Sequence, residues 1–159
     1  MRQRLCLCVL SAAVLSLPAA ADQPQAPAVT APPASFFERV RERDRDAARA
    51  FYKKYIDVNG MPVVAAADVA DESLQRTYEI VTHLLAGRPD VLAAMVKNGT
   101  RLIVIGKDQV YTDMPEYRNH PNPAYRNERV RGTGGLEVTS FGEENLLNLA
   151  GDQIGRAHV

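Results

Sequence analysis

A short apolar run, residues 101–106, limits the folds open to this chain more than any other feature. Its sequence, Arg-Leu-Ile-Val-Ile-Gly, is a continuous series of branched aliphatic residues without polar alternation. A half-exposed strand would alternate apolar and polar residues, whereas an unbroken run is typical of a strand covered on both faces. The run therefore predicts the central strand of a sheet that is covered on both sides.

Two further segments predict strands around this one. Asn59-Gly60 separates the apolar runs 56–58 and 61–64, and Asn-Gly between apolar runs is a strong hairpin signal. Pro62 lacks a backbone N–H, which predicts that the second arm of the hairpin is an edge strand or irregular. Residues 136–141 read as a further strand.

Three helices are expected between these strands. The first follows a capping box at Ser35-Phe36-Phe37-Glu38 and runs to about Tyr55, and the second extends from Asp71 to Gly87. The third covers residues 90–97 and ends at Asn98-Gly99. The fold class predicted from these elements is α+β, with a small mixed sheet packed against about three helices.

The amino terminus carries the pattern of a secretory signal peptide. Arg2 and Arg4 precede an apolar stretch, residues 5–17, and Pro18 then leads into three alanines before Asp22. This stretch is shorter than the roughly 20 residues that a permanent membrane anchor needs. Residues 1–21 are therefore interpreted as a signal peptide, which places the mature protein outside the cytoplasm, secreted or periplasmic.

Cleavage of the signal would change what holds the mature chain together. Both cysteines, Cys6 and Cys8, lie within the signal, so the mature chain is expected to be free of disulfides. Arg2 and Arg4 leave as well, which turns a balance of 19 basic and 19 acidic residues into a net charge of −2. This charge argues against a nucleic-acid partner, and no second apolar run predicts membrane association after cleavage.

Residues 22–34 are rich in proline and alanine and are interpreted as a linker. The segment lacks the apolar side chains that a core requires, so an extended and mobile chain is expected there. A second irregular stretch, residues 107–135, follows the central strand and contains three prolines and three glycines. A loop of this length inside a folded unit is often functional.

Candidate binding residues lie in and after this long loop. Asp113, Glu116 and His120 have the ligand chemistry of a zinc site, but their spacing matches no defined metal motif, and solvated turn formers are the alternative. Glu143, Glu144 and Asn145 leave the last strand. If the two glutamates were on a strand they would point to opposite faces, which argues against joint acid–base catalysis, although one could still bind a ligand. No catalytic residue and no metal ligand is assigned from the sequence.

Several blocks of the chain resemble a family of secreted, zincin-like metallopeptidases. The resemblance covers roughly residues 50–152 and depends on the order and spacing of five blocks. These blocks are residues 52–63 (Tyr-Lys-Lys-Tyr-Ile-Asp-Val-Asn-Gly-Met-Pro-Val), 85–91 (Leu-Ala-Gly-Arg-Pro-Asp-Val), 112–116 (Thr-Asp-Met-Pro-Glu), 129–135 (Arg-Val-Arg-Gly-Thr-Gly-Gly) and 142–147 (Gly-Glu-Glu-Asn-Leu-Leu).

The resemblance implies a zinc site that this sequence does not contain. In the family, the Gly-Glu-Glu-Asn block and a following Gly-Asp lead into a helix with H-E-x-x-H, whose histidines bind zinc while its glutamate polarises water. This chain reaches Gly151-Asp152 and then departs from the family, and none of its three histidines is followed by glutamate. A full-length relative would use zinc and a peptide or protein substrate.

Two interpretations of the whole chain follow. In the first, residues 35–152 are the N-terminal α+β portion of an exported zinc-metallopeptidase-like protein that is catalytically incomplete as given. Residues 153–159 are then a non-native or frayed tail, since the codons ATC GGA AGA GCA CAC GTC, which match a common sequencing adapter, would encode residues 154–159. In the second, the chain is a complete, non-catalytic exported module that binds through residues 107–135. A carboxylate-based hydrolase using Glu143 or Glu144 is a weaker third interpretation.

Overall fold

The computed structural model describes residues 25–149, which contain four strands, six α-helices and one 3₁₀ helix. The interpreted signal peptide and the tail 153–159 lie outside the described residues. No helix between residues 25 and 149 is long and apolar enough to cross a membrane. In chain order the elements are α1 (Ala34–Arg39), α2 (Glu42–Phe51), β1 (Lys54–Val58), β2 (Met61–Ala65), α3 (Asp71–Leu85), α4 (Pro89–Lys97), β3 (Arg101–Ile105), the 3₁₀ helix (Tyr111–Asp113), α5 (Pro123–Arg129), β4 (Val138–Gly142) and α6 (Glu143–Leu147).

The four strands form one mixed sheet in the order β1-β2-β3-β4, so the predicted α+β class is confirmed. β1 and β2 are antiparallel and are joined by the expected turn, in which both Asn59 and Gly60 have positive φ. β3 is parallel to β2 on one side and to β4 on the other. The predicted central position of residues 101–105 is thus confirmed. The helices outnumber the three expected because short ones, α1, α5 and α6, join the longer α2, α3 and α4.

The prediction that Pro62 marks an edge or irregular strand is wrong. β2 lies inside the sheet, and Pro62 faces Asp57 of β1 within its ladder. In a two-residue hairpin the pair next to the closing pair is not hydrogen-bonded, so the nitrogen of Pro62 points away from β1. The pairing with β3 begins only at Val63, one residue later. The missing N–H of Pro62 therefore interrupts neither ladder.

Each face of the sheet is covered by its own core. On one face, Leu102 and Val104 of β3 join a cluster that includes Leu74 of α3 and, at its margin, residues of α4. On the other face, Ile103 and Ile105 join Phe36, Ala48 and Tyr52 and the segment after β3. Because side chains alternate along a strand, Arg101 belongs to this second face. That placement positions the candidate site described below.

The predicted single helix over residues 35–55 is two helices and the start of a strand. Val40 is extended and 1% exposed, and it separates α1 from α2. Tyr55, expected at the helix end, lies in β1. The expected Ser35 cap is also wrong, because α1 begins at Ala34 without a side-chain cap. Neither glycine nor proline marks the break; the turn at Val40 lets the aromatic residues of α1 and the apolar face of α2 reach the same core.

The interpreted linker is partly docked onto the sheet. Thr30 and Tyr55 form an isolated antiparallel bridge with N···O distances of 2.9 and 2.8 Å. The preceding residue, Val29, packs at the margin of the α3–α4 core. The folded unit therefore begins several residues before Ser35, since these backbone bonds tie the end of the linker to the free edge of β1.

Residues 107–135 connect β3 to the parallel strand β4 and are mostly irregular, as expected. The segment contains the 3₁₀ helix and α5, and it covers the sheet face on which Arg101 lies. Its end, at Thr133, forms an isolated antiparallel bridge with Ser140 of β4. The long loop is thus packed against the sheet rather than projecting from it.

Candidate functional site

The sequence-predicted candidates fall at two places in the fold. Glu116 and His120 line a cleft near the amino-terminal ends of β3 and β4, whereas Glu143, Glu144 and Asn145 begin α6 at their carboxyl-terminal ends. Asp113 belongs to neither group. Its carboxylate accepts a hydrogen bond of 2.8 Å from the backbone N–H of Val110, which is the geometry of an exposed turn former.

The cleft has a volume of about 640 Å³ and lies between the start of α2 and residues 107–135. This volume is in the range of small-molecule sites, roughly 300–1,000 Å³. A smaller adjoining recess of about 270 Å³ contains His120 and shares three residues with the main cleft. The main cleft is lined by Arg41, Asp44, Arg101, Tyr111, Glu116, Tyr117, Arg126 and the consecutive residues 133–138.

A buried triad forms the floor of the cleft. The Tyr52 hydroxyl donates to Oε2 of Glu116 over 2.5 Å, and Nε of Arg101 donates to Oε1 over 3.2 Å. The side chains of Arg101 and Glu116 are only 3% and 6% exposed. Glu116 is therefore held by two donors from the sheet side, and this arrangement fixes the position of the long loop above β3.

The arginine of this triad is not fully satisfied. Nη2 of Arg101 is buried and has no hydrogen-bond partner among residues 25–149. A buried donor without an acceptor costs about 1–3 kcal/mol, and more when it is charged. Such groups usually have a partner, often a water or an ion. The orphan donor is therefore a place where the cleft floor can accept an additional acceptor.

A second carboxylate supports the side of the cleft. Asp44 of α2 is 3% exposed, and its oxygens contact Nη2 of Arg118 at 3.1 Å and Nε of Arg43 at 3.3 Å. Nη2 of Arg118 also donates to the carbonyl of Arg43 over 2.8 Å. The wall contributed by α2 is thus tied to the long loop through these polar contacts.

Stacked aromatic rings form another wall. The rings of Tyr111 and Tyr117 are nearly parallel, with centroids 4.2 Å apart, and His120 meets Tyr111 edge-on at 6.1 Å. The Tyr117 hydroxyl also accepts a hydrogen bond of 3.2 Å from Thr133. Nδ1 of His120 accepts from the backbone N–H of Asn122, so this histidine helps to shape its own turn.

At the opposite end of the sheet, Glu143 accepts three hydrogen bonds. They come from the backbone N–H of Ala70 at 2.7 Å, the hydroxyl of Ser73 at 3.2 Å and the backbone N–H of Lys107 at 3.0 Å. Glu143 is 3% exposed. Its carboxylate therefore joins the start of α3 to the end of β3, which is an architectural role.

Glu144 is bound by a single arginine. Nε and Nη2 of Arg131 donate to its two oxygens over 2.7 and 2.8 Å, and the same guanidinium donates to the carbonyls of Gly106 and Gln109. Burial opposes ionisation of Glu144, but the hydrogen bonds from Arg131 outweigh it and lower the pKa of this carboxyl. We call this set of contacts the Arg131 latch, because it closes the long loop onto the start of α6.

The two glutamates do not lie on a strand, which corrects that expectation. They occupy the first turn of α6 and face different partners, so the conclusion that they do not act on one bond still holds geometrically. The side-chain oxygen of Asn145 is buried without a partner in the described part of the chain. Across residues 25–149, no group of three histidine, cysteine, aspartate or glutamate residues is arranged to hold a metal ion.

Sequence reasoning missed most of the cleft floor. Arg101 was counted only as the first residue of a strand, and Tyr52 only as part of a resembling block. Asp44 was one of several charges on a helix expected to be solvated. A signal was present for Arg101, because a charged residue at the start of an otherwise apolar, doubly covered strand requires a buried partner. Nothing local identifies Glu116, 15 positions later, as that partner.

Burial of the Tyr52 phenol predicts a loss of stability in alkali. Desolvation, followed by the neighbouring Glu116 carboxylate, raises the pKa of Tyr52 well above 10.0. The unfolded chain therefore loses this proton first, so the stabilisation is complete below pH 10.0 and is lost as the pH rises toward the native pKa. Urea unfolding should show a shallower alkaline decline for Tyr52→Phe than for the unmodified protein. Tyr125→Phe, which changes an exposed tyrosine of α5, should leave the decline unaltered; equal slopes for all three proteins would contradict the prediction.

Comparisons with protein-family models, curated proteins and solved structures find no match for this chain.

Proposed function

We propose that this chain is the ligand-binding α+β part of an exported protein, and that the cleft between α2 and residues 107–135 is its binding site. The observation that carries the proposal is the cleft of about 640 Å³ whose floor contains a buried arginine with an unused donor. Ligand sites are typically concave, with a few polar groups placed among apolar walls. Arg101, the tyrosine pair and Thr133 supply this combination.

The construction of the cleft favours binding without large rearrangement. Its floor is held by the Glu116 contacts, and its loop wall is anchored at both ends by the Arg131 latch and the Thr133–Ser140 bridge. A site whose shape is set before binding loses less conformational freedom when the ligand enters. The long loop, although irregular, is therefore suited to hold a ligand in one orientation.

Filling the cleft tests this proposal. Gly134 lines the cleft, and a Cβ added there meets nothing within 4 Å, so Gly134→Leu should occupy the cleft without disturbing the backbone. Gly87→Leu is the matched control, because its added Cβ also meets nothing within 4 Å and the residue lies after α3, away from the cleft. A fragment library would be screened against the full chain by amide NMR, with the protein expressed with its leader.

The expected result is a set of fragments that shift the amides of residues 133–138, and that lose at least about tenfold in affinity, or some 1.4 kcal/mol, in Gly134→Leu. Gly87→Leu should bind them as the unmodified protein does. Fragments that bind only elsewhere, or equally to both variants, would refute the assignment of the cleft.

A second candidate function follows from the family resemblance. In it, the chain is the N-terminal portion of an exported zinc-metallopeptidase-like protein whose zinc site and peptide substrate belong to residues beyond those described. The supporting observation is that the resembling blocks 129–135 and 142–147 bind each other through Arg131 and Glu144. Blocks that share a buried ion pair are expected to occur together, because either one without the other leaves a charge unpaired.

The nucleotide sequence separates these candidates directly. A reading frame that continues through H-E-x-x-H within a few tens of codons after Asp152 would support the peptidase relationship. Codons for residues 154–159 that match the adapter string would support it too, because the native continuation would then have been replaced. A genomic stop codon directly after Val159 would exclude it and leave the cleft as the functional site.

A further inference from the structure

The orphan donor on the floor of the cleft indicates the chemistry of its ligand. A guanidinium is planar and carries five N–H donors, so an arginine that uses Nε for one carboxylate still presents its Nη edge. In Arg101, Nε binds Glu116 while Nη2 is buried without an acceptor within residues 25–149. The missing partner is therefore an acceptor that enters from the cleft, and a negatively charged oxygen makes the strongest such bond.

The charges around the cleft favour an anion as well. Three carboxylates line it, those of Asp44, Glu116 and Glu137. Each is already bound by arginine, since Arg41 pairs with Glu137 at 3.0 Å, Arg101 with Glu116, and both Arg43 and Arg118 with Asp44.

Arg126 is the lining arginine that remains unpaired in the described part of the chain. The guanidinium groups that line the cleft or bind its carboxylates therefore exceed the carboxylates by two. An anion that enters the cleft would be attracted to this excess rather than repelled by the acidic residues.

We propose that the cleft binds a small organic carboxylate, whose oxygen accepts a hydrogen bond from Nη2 of Arg101 while Arg126 supplies a second positive charge. The walls specify an organic ion rather than inorganic phosphate, because Tyr111, Tyr117 and Val138 offer apolar surface to a carbon skeleton. The inference rests on the proposed function and adds the ligand class to it.

Benzoate and benzamide form the matched pair of probes. They have nearly the same shape, and only benzoate is charged. Amide NMR of the full chain, titrated with each, should show saturable shifts of residues 133–138 with benzoate and much weaker shifts with benzamide. Inorganic phosphate should not reproduce the benzoate pattern. A short peptide with a free carboxyl terminus, compared with its amidated form, shows whether a peptide end can supply the carboxylate: tighter binding than benzoate would identify that source.

Arg126→Gln is the informative variant, because removing Arg101 would leave Glu116 buried without its ion-pair partner and could unfold the protein. The variant should weaken benzoate binding by about tenfold while benzamide binding stays the same. Arg129→Gln is the control, since it removes the same charge from the same helix at a residue that lies over Tyr125 and does not line the cleft.

Equal affinities for benzoate and benzamide would overturn the carboxylate assignment and leave the cleft as a neutral binding site. Equal losses in Arg126→Gln and Arg129→Gln would overturn it too, because the effect would then be general electrostatic attraction. Phosphate binding with the same shifts and affinity as benzoate would replace carboxylate with phosphate as the ligand class. If neither these probes nor the fragment library bind the cleft, the proposed function itself fails.

Discussion

Replacing Glu116 with alanine is expected to lower the free energy of unfolding by about 3–5 kcal/mol. The change removes the ion-pair partner of Arg101, whose side chain is 3% exposed, and also the acceptor of the Tyr52 hydroxyl. A buried charge left without its partner keeps the cost of desolvation and loses the compensating attraction. Urea denaturation followed by circular dichroism would measure the change in midpoint at an unchanged slope.

Two comparisons identify the cause of this loss. Glu137→Ala breaks the exposed ion pair with Arg41 at the edge of the same cleft and should cost about 1 kcal/mol or less. The double variant Arg101→Met/Glu116→Leu removes both charges and should be more stable than Glu116→Ala, because no buried charge is left alone. If Glu116→Ala were as mild as Glu137→Ala, the triad would not be the support of the cleft floor.

Replacing Arg131 with methionine should release the long loop and cost about 3 kcal/mol. The guanidinium binds both oxygens of Glu144 and the carbonyls of Gly106 and Gln109, so its loss leaves a carboxylate and two carbonyls without a donor. Hydrogen exchange should therefore accelerate most in residues 106–113 and in α6. Arg129→Met, two residues earlier and exposed, is the control and should change neither stability nor exchange by a comparable amount.

The latch should also give a signature in acid. Because the pKa of Glu144 is lowered in the folded protein, its contribution is complete above the unfolded value near 4.5 and disappears as the pH falls through the native value. Arg131→Met should therefore lose less stability than the unmodified protein over that range. Parallel acid-unfolding curves for the two proteins would show that the ion pair contributes little to the fold.

The strands could be predicted because their signals are local. Asn59-Gly60 reaches positive φ readily, and the unbroken run after Arg101 has no polar face to expose, so each favours one backbone conformation. Pro62 was misplaced because its effect depends on which side of the ladder its nitrogen faces, and that is set by the turn and by where β3 begins to pair. The break at Val40 was missed for a similar reason, since packing alone favours it.

The candidate site could be predicted only in part. The long loop was expected to be functional, and Glu116 and His120 do line the cleft, whereas Asp113 forms a turn and Glu143 an internal brace. Arg101 and Tyr52 were missed, because each acquires its role from a partner far along the chain. Tyr52 and Glu116 are 64 positions apart, and no pattern in either segment refers to the other.

The sequence by itself determined the α+β class, the hairpin and the doubly covered strand, because backbone preference and apolar patterning act over a few neighbouring residues. Only the tertiary structure decided that the amino-terminal end of that strand forms the floor of a cleft. Residue 101 is the physical reason: its place in the alternation of β3 directs an arginine to the face that the long loop covers, and Glu116 reaches it there. A charge that reads as the edge of a strand thereby becomes the centre of the candidate site.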